Sequence, residues 1–239
     1  MKALVFAAGL GTRLRPLTDN MPKALVKVGG VPMLERVIRK LQGAGCDEFV
    51  VNVHHFAPMI QKFLADNDNF GSKIDVSVEE DHPLETGGGI KNAERLLSPG
   101  CFLAHNADIL SDADLALFVS RAHKGALANL LVTDQPAQRC FLFDDSMRLC
   151  GWINNSTSEV RSPYKDFDPS KYRQLSFCGI HLISDAIFPL MAGWPEVFSI
   201  TDFYLSVCDR YPIYGIEAAG ISVIDIGSPE KLAQAQTMV

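Results

Sequence analysis

The chain has 239 residues, of which 47% are hydrophobic and 21% are charged, and its formal net charge is −6. This composition is typical of a globular protein, and its acidic balance excludes a protein that coats nucleic acid through a general positive field. No run approaches the ~20 apolar residues of a membrane-spanning helix, and the N-terminus lacks a signal-peptide pattern. We therefore expect a cytoplasmic protein that has no nucleic-acid or membrane partner.

The first 133 residues alternate between predicted strands and helices. Strands are expected at 2–8, 48–54, 73–80, 101–108 and 126–133. Helices are expected from Met33 to the GAG at 43–45, and at 57–67, 88–97 and 112–123, where apolar residues recur at helical spacing. This alternation predicts an α/β fold, in which helices cover both faces of a parallel sheet.

The second part of the chain, 134–239, contains predicted strands with few helices between them. Strands are expected at 140–145, 148–155, 175–184, 213–219 and 221–227, and helices at about 200–210 and at 229–239. The polar stretch 156–174 holds two prolines and is predicted to be a loop or a lid. Because no linker-like segment separates the two parts, we expect one domain over 1–239.

The segment GLGTRLRPLTDNMPK, at 9–23, follows the first predicted strand. It is not a dinucleotide fingerprint, because Leu14 stands where the third glycine should be, and it is not a P-loop, because no glycine precedes Lys23. A glycine turn beside Arg13, Arg15 and Lys23 fits a triphosphate better than a nicotinamide dinucleotide. A surface loop with solvated charges explains these residues equally well.

The same segment resembles the signature of the sugar-phosphate nucleotidyltransferases. It matches at Gly9, Gly11, Thr12, Arg13, Thr18, Pro22 and Lys23. Three later motifs extend the resemblance over essentially the whole chain: PLETGGGI at 83–90, HNADIL at 105–110 and IDIGSPEKL at 224–232. The resemblance implies a Rossmann-like three-layer α/β/α fold with a mixed, mostly parallel sheet, in which 1–133 bind the nucleotide and 134–239 bind the sugar phosphate.

The resemblance also implies a reaction. Enzymes of this family transfer a nucleotidyl group from a nucleoside triphosphate to a sugar 1-phosphate and release pyrophosphate, with Mg²⁺ as cofactor. By motif position, Arg13 is expected to hold the β- and γ-phosphates and Lys23 to reach the α-phosphate. Asp108 and Asp225 are the expected Mg²⁺ ligands, each at the end of a predicted strand. Ala107 stands where the family's N-G-D motif has glycine.

The nucleotide and the sugar are assigned by the same resemblance. The expected nucleotide-binding residues are Ala7, Ala8, Gly9, Gly11, Thr12, Glu80, Glu85, Thr86, Gly87 and Gly88. The expected sugar-binding residues are Asn154, Phe177 and Gly179. The LETGGG form is most similar to that of the N-acetylmuramate-1-phosphate uridylyltransferases. This similarity favours UTP and cell-wall synthesis, whereas a carboxylate at Glu80 favours guanine slightly.

Three alternatives stay open at this point. A guanylyltransferase acting on heptose or mannose 1-phosphate has similar motifs. A phosphocholine cytidylyltransferase needs an aromatic cage for the ammonium group, for which Trp152, Tyr164 and Phe177 are the candidates. A sensor that binds a nucleotide-sugar without turnover is expected to lose Lys23 or a metal carboxylate, and both are present. The family's E-K-P motif with its phosphate-contacting lysine is absent, and Lys165 is the candidate to replace it. We expect a monomer or a small homo-oligomer.

Overall fold

The computed structural model describes residues 1–239 and contains fourteen β-strands and eight α-helices. The strands are β1 (Lys2–Phe6), β2 (Lys27–Val28), β3 (Val31–Pro32), β4 (Glu48–Val53), β5 (Lys73–Val78), β6 (Phe102–Asn106), β7 (Ile109–Ser111), β8 (Ala128–Thr133), β9 (Arg139–Phe143), β10 (Leu149–Asn154), β11 (Glu159–Arg161), β12 (Arg173–Ile183), β13 (Ile213–Glu217) and β14 (Val223–Asp225). The helices are α1 (Met33–Gly43), α2 (Ala57–Asp66), α3 (Glu85–Asn92), α4 (Glu94–Leu97), α5 (Leu115–Ser120), α6 (Ile187–Met191), α7 (Ile200–Val207) and α8 (Pro229–Gln236). No helix is long and apolar enough to cross a membrane.

Ten strands form the central mixed sheet, in the order β11-β10-β9-β12-β6-β1-β4-β5, with β8 between β12 and β13 on a branch. Strands β6, β1, β4 and β5 are parallel to one another, as the strand–helix repeat predicts. The fold class is therefore confirmed as α/β with a large mixed sheet. The parallel sheet does not extend to β8, however, because the eleven-residue β12 runs antiparallel to both β6 and β8 and separates them.

Helices pack on both faces of this sheet. Helices α1, α2 and α5 cover one face, where Leu34, Ile38, Ile60 and Phe118 are buried with Val5. Helices α3, α4, α6 and α7 cover the other face, where residues such as Ile90, Leu97, Ile187 and Phe203 are buried. Each such side chain contributes about 1.5–3 kcal/mol of apolar burial. The resulting three layers leave the carboxyl ends of the parallel strands as the open edge of the sheet.

Two predicted segments differ from the structure. The stretch 156–174 is not one loop, because β11 pairs with β10 across Trp152 and Arg161, and because Phe167 stacks on Tyr172 at 4.4 Å between ring centroids. The helix predicted at 88–97 begins earlier, at Glu85, and is divided into α3 and α4 at Ala93.

Candidate active site

A cleft of about 210 Å³ opens at the carboxyl ends of β1, β4, β5 and β6. Ligands of open α/β sheets bind at this edge. The cleft is lined by Phe6, Ala7, Ala8, Gly9, Lys23, Ala24, Asn52, Glu79, Pro83, Glu85, Thr86, Asn106, Ala107 and Asp108. It thus brings together the first glycine loop, the start of α3 and the turn after β6, which lie far apart in the sequence.

The first glycine loop is shaped by Gly11, whose φ of 64° lies in the left-handed region. A Cβ at this position would lie 3.0 Å from the Thr18 methyl carbon and 3.1 Å from Lys23 Cβ. The Thr18 hydroxyl donates a hydrogen bond of 2.8 Å to the Gly11 carbonyl oxygen. Thr12 then begins a 3₁₀ turn that ends at the buried Leu14. The glycine, threonine and lysine of the motif therefore pack against one another, and this packing directs the Lys23 side chain into the cleft.

The cations of the loop take different positions. The Lys23 ammonium contacts the Asp108 carboxylate directly. The Arg13 guanidinium lies against Gly227, where an added Cβ would be 2.7 Å from Arg13 Nη2. Arg15 instead forms an exposed ion pair with Asp19, at 3.3 Å. Arg13 and Lys23 thus approach the two aspartates expected to bind metal, and Arg15 stays on the surface.

Asp108 and Asp225 lie beside each other although 117 positions separate them in the sequence (225 − 108). Asp108 lies in the turn between β6 and β7, and Asp225 ends β14, which pairs antiparallel with β7. The Ile226 amide donates a hydrogen bond of 2.9 Å to the Asp108 carbonyl oxygen. This short strand pair is what brings the two carboxylates to the same edge, and sequence spacing alone gave no sign of it.

The Asp225 carboxylate is held by several positive groups. Its Oδ2 contacts the Lys231 ammonium, and its Oδ1 accepts a hydrogen bond of 2.7 Å from the Gly227 amide. Burial raises the pKa of Asp225, but the Lys231 contact, the Gly227 amide and the charge of Lys23 outweigh burial and lower it below its usual value. Asp225 is therefore ionised at neutral pH, as a metal ligand must be.

The two carboxylates fit a magnesium ion. Mg²⁺ binds one or two protein carboxylates and completes its octahedron with water and substrate phosphate oxygens. Asp108 and Asp225 form such a pair, and each already attracts a lysine ammonium, which shows that the site favours positive charge. No group of three or more His, Cys, Asp or Glu side chains gathers anywhere in the chain, so no larger metal cage is present.

Glu79, and not the predicted Glu80, lines the cleft. Glu79 is 3% exposed, and its carboxylate accepts hydrogen bonds of 2.9 Å from the Asn52 side-chain amide and from the Leu84 backbone amide. Glu80 lies on the exposed side of the chain. The alternation of β5 continues one residue past its end, so that Ser77 and Glu79 are both buried, and this period of two is the signal that identifies Glu79.

Gly87 and Gly88, two of the predicted nucleotide-binding residues, do not line the cleft. Both amides donate to the Phe198 carbonyl oxygen, at 2.9 and 3.2 Å. A Cβ on Gly87 would meet the Phe198 ring, and one on Gly88 would meet the Glu196 carbonyl oxygen. Glu85 and Thr86 do line the cleft, and the Thr86 hydroxyl accepts a hydrogen bond of 3.1 Å from the Ile200 amide.

The predicted sugar-binding residues do not line this cleft. Asn154 is buried, and its side-chain oxygen accepts a hydrogen bond of 3.0 Å from the Ser156 amide. Phe177 packs against Phe141 and His181. Only Gly179 adjoins the cleft, since a Cβ there would lie 2.8 Å from the side-chain nitrogen of Asn106. Lys165, the candidate for the missing lysine, is exposed.

Four cleft or near-cleft residues escaped sequence reasoning: Asn52, Glu79, Asn106 and Lys231. Asn52 is 1% exposed at the end of an otherwise apolar strand, and a buried polar residue at that position is a detectable signal. Asn106 belongs to the HNAD motif itself. Lys231 belongs to the IDIGSPEKL motif, but its contact with Asp225 depends on how α8 begins, and the motif alone does not indicate that contact.

Comparisons with known proteins identify the family of this chain. The profile described as "Nucleotidyl transferase" matches residues 2–139. An N-acetylmuramate alpha-1-phosphate uridylyltransferase of Caulobacter vibrioides is 44% identical over 44% of this chain and 45% of its own length. A mannose-1-phosphate guanylyltransferase of Mycobacterium tuberculosis is 31% identical over 64% of this chain and 44% of its own length. The chain thus matches about half the length of these curated relatives.

A solved structure matches over nearly the full chain. The crystal structure of HddC from Yersinia pseudotuberculosis complexed with GMP-PN has a TM-score of 0.77 and 22% identity, and the match covers 99% of this chain and 98% of that one. At this identity the likeness shows the shared fold.

Proposed function

Because the chain belongs to the nucleotidyl transferase family, we propose that it transfers a nucleotidyl group from a nucleoside triphosphate to a sugar 1-phosphate and releases pyrophosphate. One observation carries this proposal: at the carboxyl edge of the sheet, Lys23 of the glycine loop contacts Asp108, and Arg13 of the same loop lies against Gly227, two residues after Asp225. The chemistry of phosphoryl transfer needs positioning and charge neutralisation of this kind.

The reaction forms one P–O bond and breaks another. A phosphate oxygen of the sugar 1-phosphate attacks the α-phosphorus of the triphosphate, and the bond from that phosphorus to the β-phosphate oxygen breaks. The attacking oxygen is already anionic, so no general base is required. Catalysis therefore depends on holding two polyanions in line and offsetting their repulsion.

The residues of the cleft support these tasks. Ala7, Ala8 and Gly9 line the cleft beyond β1, and this stretch of backbone would bind the nucleotide. Lys23 reaches the α-phosphate, and Arg13 reaches the phosphates that leave as pyrophosphate. A divalent cation held by Asp108 and Asp225 supplies further neutralisation of phosphate charge when it is bound.

For the substrates we propose UTP and a sugar 1-phosphate of the N-acetylmuramate type, supported by the similarity to the uridylyltransferase. The preference for guanine is weakened, because it depended on Glu80, which lies outside the cleft. Guanylyl transfer to mannose or heptose 1-phosphate is the second candidate, and the similarity to the mannose-1-phosphate enzyme supports it.

The phosphocholine alternative loses support from the structure. The Arg161 guanidinium lies over the Trp152 ring, 5.5 Å from its centroid, and Phe177 packs against Phe141 and His181. Two of the three candidate aromatic residues, Trp152 and Phe177, are therefore engaged with other side chains and are not free to enclose a quaternary ammonium group.

Pyrophosphate release tests the proposal. Four nucleoside triphosphates are combined with N-acetylmuramate, N-acetylglucosamine, mannose, glucose and heptose 1-phosphates, and also with phosphocholine, in the presence of Mg²⁺. We expect release only when triphosphate, sugar 1-phosphate and Mg²⁺ are all present, with UTP and N-acetylmuramate 1-phosphate as the best pair. Folded protein that binds nucleotide-sugars but releases no pyrophosphate with any pair is instead the sensor.

A further inference from the structure

Lys231 lies at an unusual place for a lysine. It is in the first turn of α8, two residues after Pro229, and its backbone amide donates to the capping Ser228 hydroxyl. The N-terminal end of a helix carries partial positive charge, so a lysine there is electrostatically unfavourable. The side chain turns back to the Asp225 carboxylate, and this contact compensates for the position.

The two predicted metal carboxylates differ in how many oxygens remain available. Asp108 contacts Lys23 through Oδ2, and its Oδ1 accepts no hydrogen bond from the protein. Asp225 has both oxygens engaged, Oδ1 by the Gly227 amide and Oδ2 by Lys231. A cation therefore finds a free oxygen on Asp108, but on Asp225 it meets an ammonium group.

We propose that Lys231 competes with the divalent cation for Asp225. Its ammonium holds the carboxylate in place and neutralises it before the cation binds, and it leaves Oδ2 when the cation arrives. The Lys231 side chain is 47% exposed, so its ammonium has solvent into which to move. This inference rests on the proposed function, because it takes Asp225 as a cation ligand.

Electrostatics sets the direction of the effect. Two like charges on one carboxylate repel each other, and a partly exposed ion pair contributes up to about 1 kcal/mol. Removing the ammonium therefore favours the cation, whereas replacing it with a guanidinium preserves the competition.

The experiment measures Mn²⁺ affinity by electron paramagnetic resonance on the whole protein without substrates. We expect Lys231→Met to bind Mn²⁺ about fivefold more tightly than the wild type, and Lys231→Arg to stay near the wild type. The matched control is Lys27→Met, which removes an exposed lysine on β2 that forms no ion pair. In the Asp225→Asn background, Lys231→Met is expected to make no difference to Mn²⁺ affinity.

A second readout needs no bound metal. In the metal-free protein, Lys231→Met leaves the Asp225 carboxylate without its partner, so Tm is expected to fall by about 2 °C. Saturating Mn²⁺ should abolish this difference, and Lys27→Met should show none of it.

The outcomes separate two failures. Unchanged or weaker Mn²⁺ binding in Lys231→Met, alongside clear wild-type binding that Asp225→Asn weakens, overturns the competition and leaves the proposed function standing. Mn²⁺ binding that Asp225→Asn does not weaken removes Asp225 from the cation site, and with it both this inference and that part of the proposed function.

Discussion

Gly9, in the first glycine-rich segment of this chain, and Gly87 and Gly88, in the second, have opposite surroundings. At 9–11, Gly9 has no atom within 4 Å of the place where a Cβ would stand, and it lines the cleft. At 87–88, both glycines are buried, and a Cβ on either would collide with the segment 196–198. The space beside Gly9 is open to a ligand, whereas the space beside Gly87 and Gly88 is filled by residues 196–198. A glycine-rich motif therefore indicates close approach without indicating what approaches.

The largest expected effect lies in the first segment. Lys23→Ala removes the cation that contacts Asp108, and we expect kcat to fall by about a hundredfold to a thousandfold. Steady-state pyrophosphate release measures the loss. The exposed Arg15→Ala is the matched control, because Arg15 pairs only with Asp19, and it should keep most of the activity. Equal losses in the two variants would show that the loop acts through its overall charge.

The second prediction sets Gly88→Ala against Gly9→Ala. A methyl group on Gly88 collides with the Glu196 carbonyl oxygen, and we expect the free energy of unfolding to fall by about 2 kcal/mol or more. Gly9→Ala should leave stability within about 0.5 kcal/mol of the wild type, and its methyl group should raise the KM for the triphosphate by narrowing the cleft. Urea unfolding and steady-state kinetics check both variants. A stable Gly88→Ala protein would refute the packing role.

The third prediction concerns the bond between Thr86 and α7. Thr86→Val keeps the shape of the side chain but removes the hydroxyl that accepts from the Ile200 amide. We expect the free energy of unfolding to fall by about 1–2 kcal/mol and the KM for the triphosphate to rise. Urea unfolding and steady-state kinetics measure the two quantities. Thr86→Ser retains the oxygen and should recover both quantities. Wild-type stability and KM in Thr86→Val would contradict the role of the hydroxyl.

The smallest effect is expected from Glu80→Gln. Glu80 is exposed and does not line the cleft, so stability should change by less than about 0.5 kcal/mol, and the KM for the triphosphate should stay the same. Glu79→Gln is the comparison. The Glu79 carboxylate accepts hydrogen bonds from the Asn52 side chain and the Leu84 amide, and in the glutamine variant one of these donors faces an NH₂ group instead of an oxygen. A changed base preference in Glu80→Gln would restore the original assignment of that residue.

Sequence reasoning succeeded where the signal was local. The parallel strands β1, β4, β5 and β6 follow from apolar runs between helical patterns, and the interval from Gly11 to Lys23 reflects contacts within one loop. These features depend on residues that are close together in the chain, so they can be predicted from the local sequence.

Contacts between distant segments left the weakest signal in the sequence. The role of Gly87 depends on Phe198, more than a hundred positions later, and the contact of Lys231 depends on the first turn of α8. The choice between Glu79 and Glu80 was decidable from the sequence, since alternation along β5 extends by one more residue. Asp108 and Asp225 are an intermediate case. The sequence places each of them at the end of a predicted strand, but it does not show that the pairing of β7 with β14 brings them together.

The bond between Thr86 and Ile200 has a consequence for the timing of the two substrates. Thr86 faces the cleft, Ile200 begins α7, and Asp202 in the same turn bonds Arg161 of β11 at 2.7 Å. These two hydrogen bonds link the cleft wall, through the first turn of α7, to the edge strand β11. Under the proposed function we expect this linkage to make the binding of one substrate affect the binding of the other, and initial rates with both substrates varied should then show an ordered sequence.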